Sequence, residues 1–227
     1  TLSSSVINSY VVTYTLPSGT FENRSLGITA AAFSSTRSFS FDGVNDYFEI
    51  ANDTSLQITD NLSLSCWINA DNVSGTNSII DKFYDGADRS YLLRISGTRV
   101  KLYLGNTDGS SAPEYQSSST LSNNVWYHVV TTFSSTDNEV KIYINGSLDS
   151  THSKTDLISS NNEELRIGAG YNLLNYFDGK IDEVSIWNSA LSSDAVTEIY
   201  NSGVPNDLES LSNASSSNIV AWYRMGE

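Results

Sequence analysis

Asp182 is the residue of this sequence whose placement most clearly demands a chemical partner. It lies in the segment IDEVSIWNSALS, which has the apolar alternation of a strand. Strict alternation puts its carboxylate on the same face as Val184 and Ile186, the face expected to be buried. A carboxylate at the edge of a core is costly unless it is hydrogen-bonded, ion-paired or bound to a metal.

A second group of oxygen ligands lies far upstream, in SFSFDGVNDYFEI. There Asp42, Asn45 and Asp46 flank Gly43 between two short aromatic strands. Neither this segment nor the one around Asp182 offers a basic residue. Hard calcium ions prefer oxygen ligands of this kind, so both segments are candidates for a calcium site.

An acidic loop that carries an aromatic residue is another candidate site. Asp81, Tyr84, Asp85 and Asp88 lie between two predicted strands, SIID and SYLLRI. Aromatic faces stack on the C–H groups of sugars, and carboxylates accept hydrogen bonds from sugar hydroxyls. These four residues are therefore predicted to bind a ligand, and the alternative is a solvated turn. Three tyrosines predicted in other loops are candidates to join them: Tyr115, Tyr171 and Tyr176.

The charge of the chain excludes two classes of partner. Asp and Glu total 26 against 12 Lys and Arg, which gives a net charge of -14. Nucleic acids and anionic membrane surfaces are bound through basic patches, so neither is an expected partner. No apolar run reaches transmembrane length, so membrane insertion is not expected. No signal peptide is visible and the chain begins at Thr1, so we expect a processed chain or part of a longer protein.

Cysteine and histidine provide no site. Cys66 stands alone, which excludes an internal disulfide, and it alternates with the apolar residues of LSLSCWI. It is therefore predicted to be a small buried hydrophobic residue. The two histidines, His128 in a predicted strand and His152 in a polar turn, do not form a metal-binding motif and are predicted to be structural or solvated.

The elements that must position these residues are short strands separated by turns, from Phe39 onward. This pattern predicts an all-β, two-sheet antiparallel sandwich. In the clearest hairpin, Val140, Ile142 and Ile144 alternate on one face before Asn145-Gly146, a pair that favours a two-residue type I′ turn. One short helix is predicted over residues 193–200, near the C-terminal part of the chain.

Six segments follow one another along the chain: FDGVNDYFEI, LSLSCWINA, NNVWYHVVTTF, VKIYINGSL, LRIGAG and FDGKIDEVSIWNSALSSDAV. In this order they resemble the laminin G-like jelly rolls. That group includes the pentraxins and belongs to the concanavalin A-like lectin/glucanase superfamily. The resemblance runs from about Ser38 to Gly203 and implies a concanavalin A-like jelly roll.

The resemblance and the composition together divide the chain into three parts. Residues 1–35 are predicted to be an N-terminal strand and linker that pack on the sandwich. Residues 36–203 are predicted to form the laminin G-like jelly roll. Residues 204–227 contain a polar linker and a terminal strand, IVAWYRMG, which either closes the sandwich or starts a following repeat.

Calcium is the cofactor that the resemblance implies. In relatives of this fold, a structural calcium ion often ties an early turn to a late strand. Carried over to this sequence, the ligands are Asp182, Gly43 and one or both of Asp42 and Asp46. The alternative is that Asp42 caps a tight turn, Asp46 pairs with a basic residue and Asp182 accepts backbone N–H bonds.

Catalysis is not expected. Laminarinase-type relatives carry an E-x-D-x-E strand that places two carboxylates on one face, and this sequence has no such strand. Asp182 and Glu183 are adjacent, so strand alternation turns them to opposite faces. Trp67, Trp126 and Trp187 lie within strand patterns and are predicted to belong to the core rather than to a sugar-binding platform.

The expected function is a non-enzymatic, laminin G-like binding module, extracellular or on a virion surface, that recognises a glycan or a surface protein. The alternative is a structural or decoration module that assembles as a homo-oligomer or with neighbouring domains of a larger chain, for example on a phage or virus particle. A third interpretation is a glycan-active enzyme with an unfamiliar site. The fold hosts all three, so it does not choose among them.

Overall fold

The computed structural model describes residues 3–6, 9–11, 33, 35–84, 89–109 and 111–225 of the 227-residue chain. The chain divides into two compact units, Thr1–Ser34 and Ser35–Glu227. In the first unit, β1 (Ser3–Val6) pairs with the antiparallel strand β2 (Ser9–Val11). The predicted linker after β2, over residues 12–32, lies outside the described residues.

Among the described residues, the second unit contains thirteen strands and one α-helix. The strands are β3 (Phe39–Asp42), β4 (Phe48–Ile50), β5 (Leu62–Ala70), β6 (Thr76–Phe83), β7 (Arg89–Ser96), β8 (Arg99–Leu104), β9 (Glu114–Gln116), β10 (Tyr127–Ser134), β11 (Glu139–Ile144), β12 (Ser147–Ser153), β13 (Leu165–Ile167), β14 (Asp178–Trp187) and β15 (Ile219–Tyr223). The helix is α1 (Ser193–Tyr200), and four short 3₁₀ turns lie at Thr54–Leu56, Tyr171–Leu173, Asn201–Gly203 and Ser216–Asn218.

These strands form two antiparallel sheets that enclose the core, which confirms the predicted sandwich. The six-stranded sheet has the order β4-β13-β6-β7-β8-β9. The seven-stranded sheet has the order β12-β11-β10-β5-β14-β15, and β3 also pairs with β14. Buried apolar side chains of both sheets meet between them, and Cys66 is part of this core. Burial raises the pKa of the Cys66 thiol, as expected for an inert core residue.

Helix α1 covers the outer face of the seven-stranded sheet. Its first turn is capped because the Ser192 hydroxyl accepts a hydrogen bond from the Ala195 N–H. Ala195, Val196 and Ile199 pack with Trp187 of β14 in a second apolar cluster. The predicted helix is confirmed, and no helix of the described residues is long and apolar enough to cross a membrane.

The hairpin of β11 and β12 has the predicted turn. Asn145 and Gly146 have φ values of 51° and 77°, both positive as a type I′ turn requires. Val140 and Ile142 are fully buried in the core. Ile144 is partly buried and packs against the same core.

A β-bulge interrupts β14 at the segment on which the calcium prediction rests. The pairing with β5 shifts between Asp182, opposite Trp67, and Ser185, opposite Ser65, and Glu183 takes a φ of 47°. A bulge adds a residue and resets the alternation of the strand. Asp182 therefore lies on the outer face with Trp67, and the prediction that it shares the buried face of Val184 was wrong.

Candidate functional site

A cleft lies on the outer face of the six-stranded sheet, on the opposite side of the sandwich from α1. Leu93 of β7 and Leu102 of β8 are buried in the core. Alternation therefore turns Leu92, Arg94 and Tyr103 outward. We call this depression of about 340 Å³ the Arg94 cleft. Its lining residues are Phe83, Arg89, Leu92, Arg94, Tyr103, Ala112 and Tyr171.

Arg94 and Tyr103 form the polar part of this cleft. The guanidinium carbon of Arg94 lies 4.3 Å from the centroid of the Tyr103 ring. Its Nη2 donates a hydrogen bond of 2.5 Å to the Tyr103 hydroxyl, which in turn donates to the Glu114 carboxylate. Lys101 lies 2.9 Å from the other oxygen of Glu114. The hydroxyl of Tyr103 therefore holds Arg94 in place without giving it a carboxylate partner.

Asp81 lies beneath the aromatic walls of the cleft and is fully buried. Its Oδ1 accepts a hydrogen bond of 2.9 Å from the Phe83 N–H, and its Oδ2 accepts one of 3.1 Å from the Tyr171 N–H. Burial raises the pKa of Asp81 to about 7, although these N–H groups and the cations Arg166 and Arg94 oppose the rise. Both oxygens bind backbone, so Asp81 positions two walls of the cleft.

Tyr84 extends the aromatic wall at the rim of the cleft. Its side chain is 39% exposed, and its ring meets the Tyr171 ring edge to face, with centroids 5.9 Å apart. Asp81 lies within β6 rather than in the predicted loop. Asp81 and Tyr84, two of the four predicted ligand-binding residues, both contact Tyr171 of the cleft. Asp85 and Asp88 lie outside the described residues.

Only one of the three further tyrosines lines the Arg94 cleft. Tyr171 does so. Tyr115 lies within β9 and is buried in the core, so its prediction as a loop residue was wrong. Tyr176 lies beside Tyr47, with ring centroids 6.3 Å apart.

The acidic residues of the Asp42 turn bind backbone rather than facing Asp182. The Oδ1 of Asp42 accepts hydrogen bonds of 2.8 Å and 3.1 Å from the N–H groups of Val44 and Asn45. These N–H groups lower the pKa of the Asp42 carboxyl. Asp46 accepts a hydrogen bond of 3.1 Å from the Asp42 N–H. This is the turn-capping role described above for Asp42.

Asp182 lies at a different place on the sheet. Asp42 pairs with Asp178 of β14, and Asp182 is four residues further along that strand, ~13 Å at the rise of a strand. The Asp182 carboxylate accepts hydrogen bonds of 3.0 Å from the Ser35 hydroxyl and 2.8 Å from the Glu183 N–H.

The predicted calcium ligands Asp42, Gly43, Asp46 and Asp182 therefore do not fit a single ion. Within the described residues, no group of three or more His, Cys, Asp or Glu side chains is arranged to hold a metal. Calcium binding to this chain stays a prediction.

A second cavity, of about 270 Å³, lies beside Asp182 on the outer face of the seven-stranded sheet, and we call it the Trp126 pocket. Trp126 precedes β10 and is 39% exposed, so its prediction as a core residue was wrong, whereas Trp67 and Trp187 are buried. The Trp67 ring stacks near Tyr200, with centroids 5.7 Å apart. The residues that line the pocket are Ser35, Thr36, Arg37, Ser38, Trp67, Trp126, Asp182, Gly203 and Pro205.

His128 is a buried structural residue next to this pocket. Its Nε2 lies 3.0 Å from the Ser65 hydroxyl, and its ring is 5.0 Å from that of Trp67. Burial lowers the pKa of His128 to about 3, so the ring is neutral at physiological pH. The prediction of a structural histidine agrees with this environment.

Sequence reasoning missed Arg94 and Tyr103 as members of the site. The signal was present in the strands SYLLRI and RVKLYL, where Arg94 and Tyr103 alternate with apolar residues. Such residues are ordinarily interpreted as the solvated side of a strand. Arg94 and Tyr103 line a cleft only because Phe83 and Tyr171, whose backbone Asp81 binds, lie beside them.

Comparison with known proteins agrees with this architecture. Residues 42–197, more than half of the chain, match a sequence model of a laminin G family within the concanavalin A-like lectin/glucanases superfamily. The chain belongs to this family. No curated protein sequence matches the laminin G domain described here.

Solved structures share the fold of this laminin G domain. A candidate carbohydrate-binding protein from Bacteroides ovatus has a TM-score of 0.65 and 18% identity, over 85% of this chain and 52% of that one. This chain thus spans about half of the Bacteroides protein. The CBM40 of the Ruminococcus gnavus IT-sialidase, bound to α2,3 sialyllactose, has a TM-score of 0.60 and 14% identity, over 74% of this chain and 99% of that one.

A pentraxin is also similar. The heptameric SAP-like pentraxin from Limulus polyphemus has a TM-score of 0.54 and 19% identity, over 71% of this chain and 80% of that one. At such identities the likeness establishes the fold of the laminin G domain and nothing about its ligand.

Proposed function

We propose that this laminin G domain is a non-enzymatic module that binds a glycan in the Arg94 cleft. The observation that carries the proposal is the combination of aromatic walls and polar donors on one outward-facing surface. Phe83 and Tyr171 provide ring faces for sugar C–H groups, and Arg94 provides hydrogen-bond donors for sugar oxygens. The polar groups stand on strands β7 and β8, which hold them at fixed positions.

Two structural neighbours support a glycan as the first ligand to test. The Bacteroides protein is described as a candidate carbohydrate-binding protein, and the Ruminococcus module is bound to a sialylated sugar. We include an extracellular or virion-surface location in the same proposal, because surface glycans are displayed there. The net charge of -14 is compatible with that setting.

The spacing of the acids near the cleft supports a non-enzymatic role. Asp81, Leu92, Tyr103 and Glu114 lie opposite one another in one row across β6, β7, β8 and β9. Three inter-strand spacings separate the two acids, ~14 Å. Glycosidase carboxylates are about 5–10 Å apart. Both oxygens of Asp81 also accept hydrogen bonds from backbone N–H groups, and Asp81 is not among the residues that line the cleft.

The test is a glycan array followed by calorimetric titration of the best-binding glycan. Tyr171→Ala should weaken binding roughly 30-fold, because truncation of an aromatic anchor in a binding site costs about 2 kcal/mol. The backbone N–H that Asp81 binds is retained in this variant. Tyr176→Ala, a tyrosine outside the cleft, is the matched control and should bind as the wild type does.

A further variant distinguishes the two cavities. Trp126→Ala should leave the affinity unchanged. A loss of binding in Trp126→Ala, with none in Tyr171→Ala, would move the site to the Trp126 pocket and contradict the proposal. Release of reducing sugar from the bound glycan, abolished by Asp81→Asn, would contradict its non-enzymatic part.

A further inference from the structure

We propose that the ligand of the Arg94 cleft carries an anionic group, so that the domain selects glycans with a carboxylate or a sulfate over neutral glycans. The inference rests on the proposed function and adds the chemical class of the ligand. It follows from the partners of the cations on this face of the sheet, from the donors that Arg94 retains and from the charge of the residues that line the cleft.

Two other cations on this sheet face, Arg166 and Lys101, have carboxylate partners. Arg166 lies 3.0 Å from a Glu49 oxygen and 3.3 Å from a Glu164 oxygen. Lys101 lies 2.9 Å from Glu114. Arg94 differs from both, because no carboxylate of the described residues forms an ion pair with it.

The two acids nearest to Arg94 are engaged elsewhere. Asp81 accepts its hydrogen bonds from the backbone of Phe83 and Tyr171. Glu114 accepts from Tyr103 and pairs with Lys101. Their charges favour the guanidinium from a distance, but neither provides it with a hydrogen-bond acceptor.

Arg94 consequently keeps unused donors. A guanidinium has five N–H donors, and one of those on Arg94 is directed to the Tyr103 hydroxyl. Its Nε is enclosed and has no hydrogen-bond partner among the residues that the structure describes. A partly buried cationic group with unsatisfied donors is costly, and an anionic oxygen is the acceptor that compensates it best.

The lining of the cleft favours the same class of ligand. Arg89 and Arg94 both line it, and none of the described lining residues is Asp or Glu. This is unexpected in a chain with 26 acidic and 12 basic residues. The planar fork of arginine matches carboxylate and sulfate oxygens, whereas a neutral sugar offers only hydroxyl and ring oxygens.

The experiment uses an array on which the same glycan backbones are presented in neutral, carboxylated and sulfated forms, for example lactose, sialyllactose and sulfolactose. The acidic forms should bind about tenfold or more tightly than their neutral counterparts, because hydrogen bonds to charged groups are the stronger ones. Preference for the carboxylated or the sulfated form identifies the anionic group. Equal binding of the neutral forms overturns this inference and leaves the proposed function standing, whereas binding of no glycan overturns both.

Variants of Arg94 test the residue itself. Arg94→Gln should reduce the preference for acidic glycans about tenfold or more, with less effect on neutral ones. Arg94→Lys keeps a positive charge beside Asp81, so it is the variant more certain to fold. It should still lower the preference for acidic over neutral glycans, because an ammonium group lacks the planar, two-pronged donor geometry of a guanidinium. Lys180→Gln, an exposed position on β14 of the other sheet, makes the same change in net charge as Arg94→Gln and should have no effect. An unchanged preference in a folded Arg94→Gln or Arg94→Lys variant overturns the inference.

Discussion

Asp81 illustrates how a single residue links the stability of this domain to its site. Its carboxylate is fully buried, and it binds the backbone of both Phe83 and Tyr171. These contacts fix the aromatic walls relative to the floor of the cleft. The cost is a charge in a dry environment, which the pKa of about 7 reflects.

Asp81 should make stability depend on pH in a defined direction. Its folded pKa of about 7 lies above the ordinary value of 3.8, so the folded state binds the proton more tightly. The stabilising contribution is therefore complete below about pH 4 and is lost as the pH rises through 7. Asp81→Asn removes this titration. The unfolding free energy of the variant relative to the wild type should rise by up to roughly 4 kcal/mol from pH 4 to pH 8.

Urea unfolding of both proteins across this pH range measures that difference. The comparison between variant and wild type cancels the other titrating groups, provided that they are unchanged. A difference that is independent of pH would contradict the raised pKa of Asp81.

Asp42 and Asp182 provide a test of the calcium prediction at the same scale. If the two residues shared one ion, the losses of stability caused by Asp42→Asn and Asp182→Asn would not add when calcium is present. At their separation along β14, we expect the two losses of stability to add to within about 0.5 kcal/mol. The measurement is a double-mutant cycle of unfolding free energies in millimolar calcium and in chelator. Coupling above about 1 kcal/mol that is present only in calcium would restore the shared site.

At the scale of elements, the turn between β11 and β12 is tied to α1. A Cβ atom added to Gly146 would lie 2.7 Å from Cδ1 of Tyr200, the last residue of the helix. The turn also requires positive φ at Gly146, which glycine tolerates best. The hairpin and the helix therefore constrain one another through a contact that is absent from the sequence pattern.

Gly146→Ala and Gly97→Ala separate these two effects. Gly97 also has positive φ, in the turn between β7 and β8, but a Cβ atom there would meet nothing within 4 Å. Each change should cost about 1 kcal/mol for left-handed backbone, and Gly146→Ala should cost more because of Tyr200. Equal losses of melting temperature would contradict the contact with α1.

The turn between β11 and β12 could be predicted from the sequence, whereas the face of β14 on which Asp182 lies could not. Asn-Gly has a local preference that determines its turn wherever it occurs. The bulge of β14 depends on Glu183, a residue type with no preference for positive φ, and is imposed by pairing with β5. Tertiary pairing of this kind leaves no local signal, so Asp182 was assigned to the wrong face.

At the scale of the whole domain, the sandwich could be predicted because alternation and turn chemistry recur along most of the chain. The site could be predicted only in part. Asp81 and Tyr84 stand out in the sequence as part of a predicted loop, although Asp81 lies in β6, whereas Arg94 and Tyr103 become neighbours through the register of β7 and β8. That register places Arg94 opposite Lys101 and turns all three polar side chains toward the same face.

Both β3 and β15 pair with β14, and this arrangement has a mechanical consequence. β3 begins at Phe39, opposite Ile181, and β15 ends at Tyr223, opposite Val184, so these two strand ends lie close together along β14. A pulling force applied at Phe39 and Tyr223 would break the hydrogen bonds of β3 and β15 to β14 one after another, starting at these residues. It would not load all the hydrogen bonds of either strand pair at once. The sandwich would therefore begin to open where β3 and β15 leave β14. The Arg94 cleft lies on the other sheet, so this opening would not begin at the cleft.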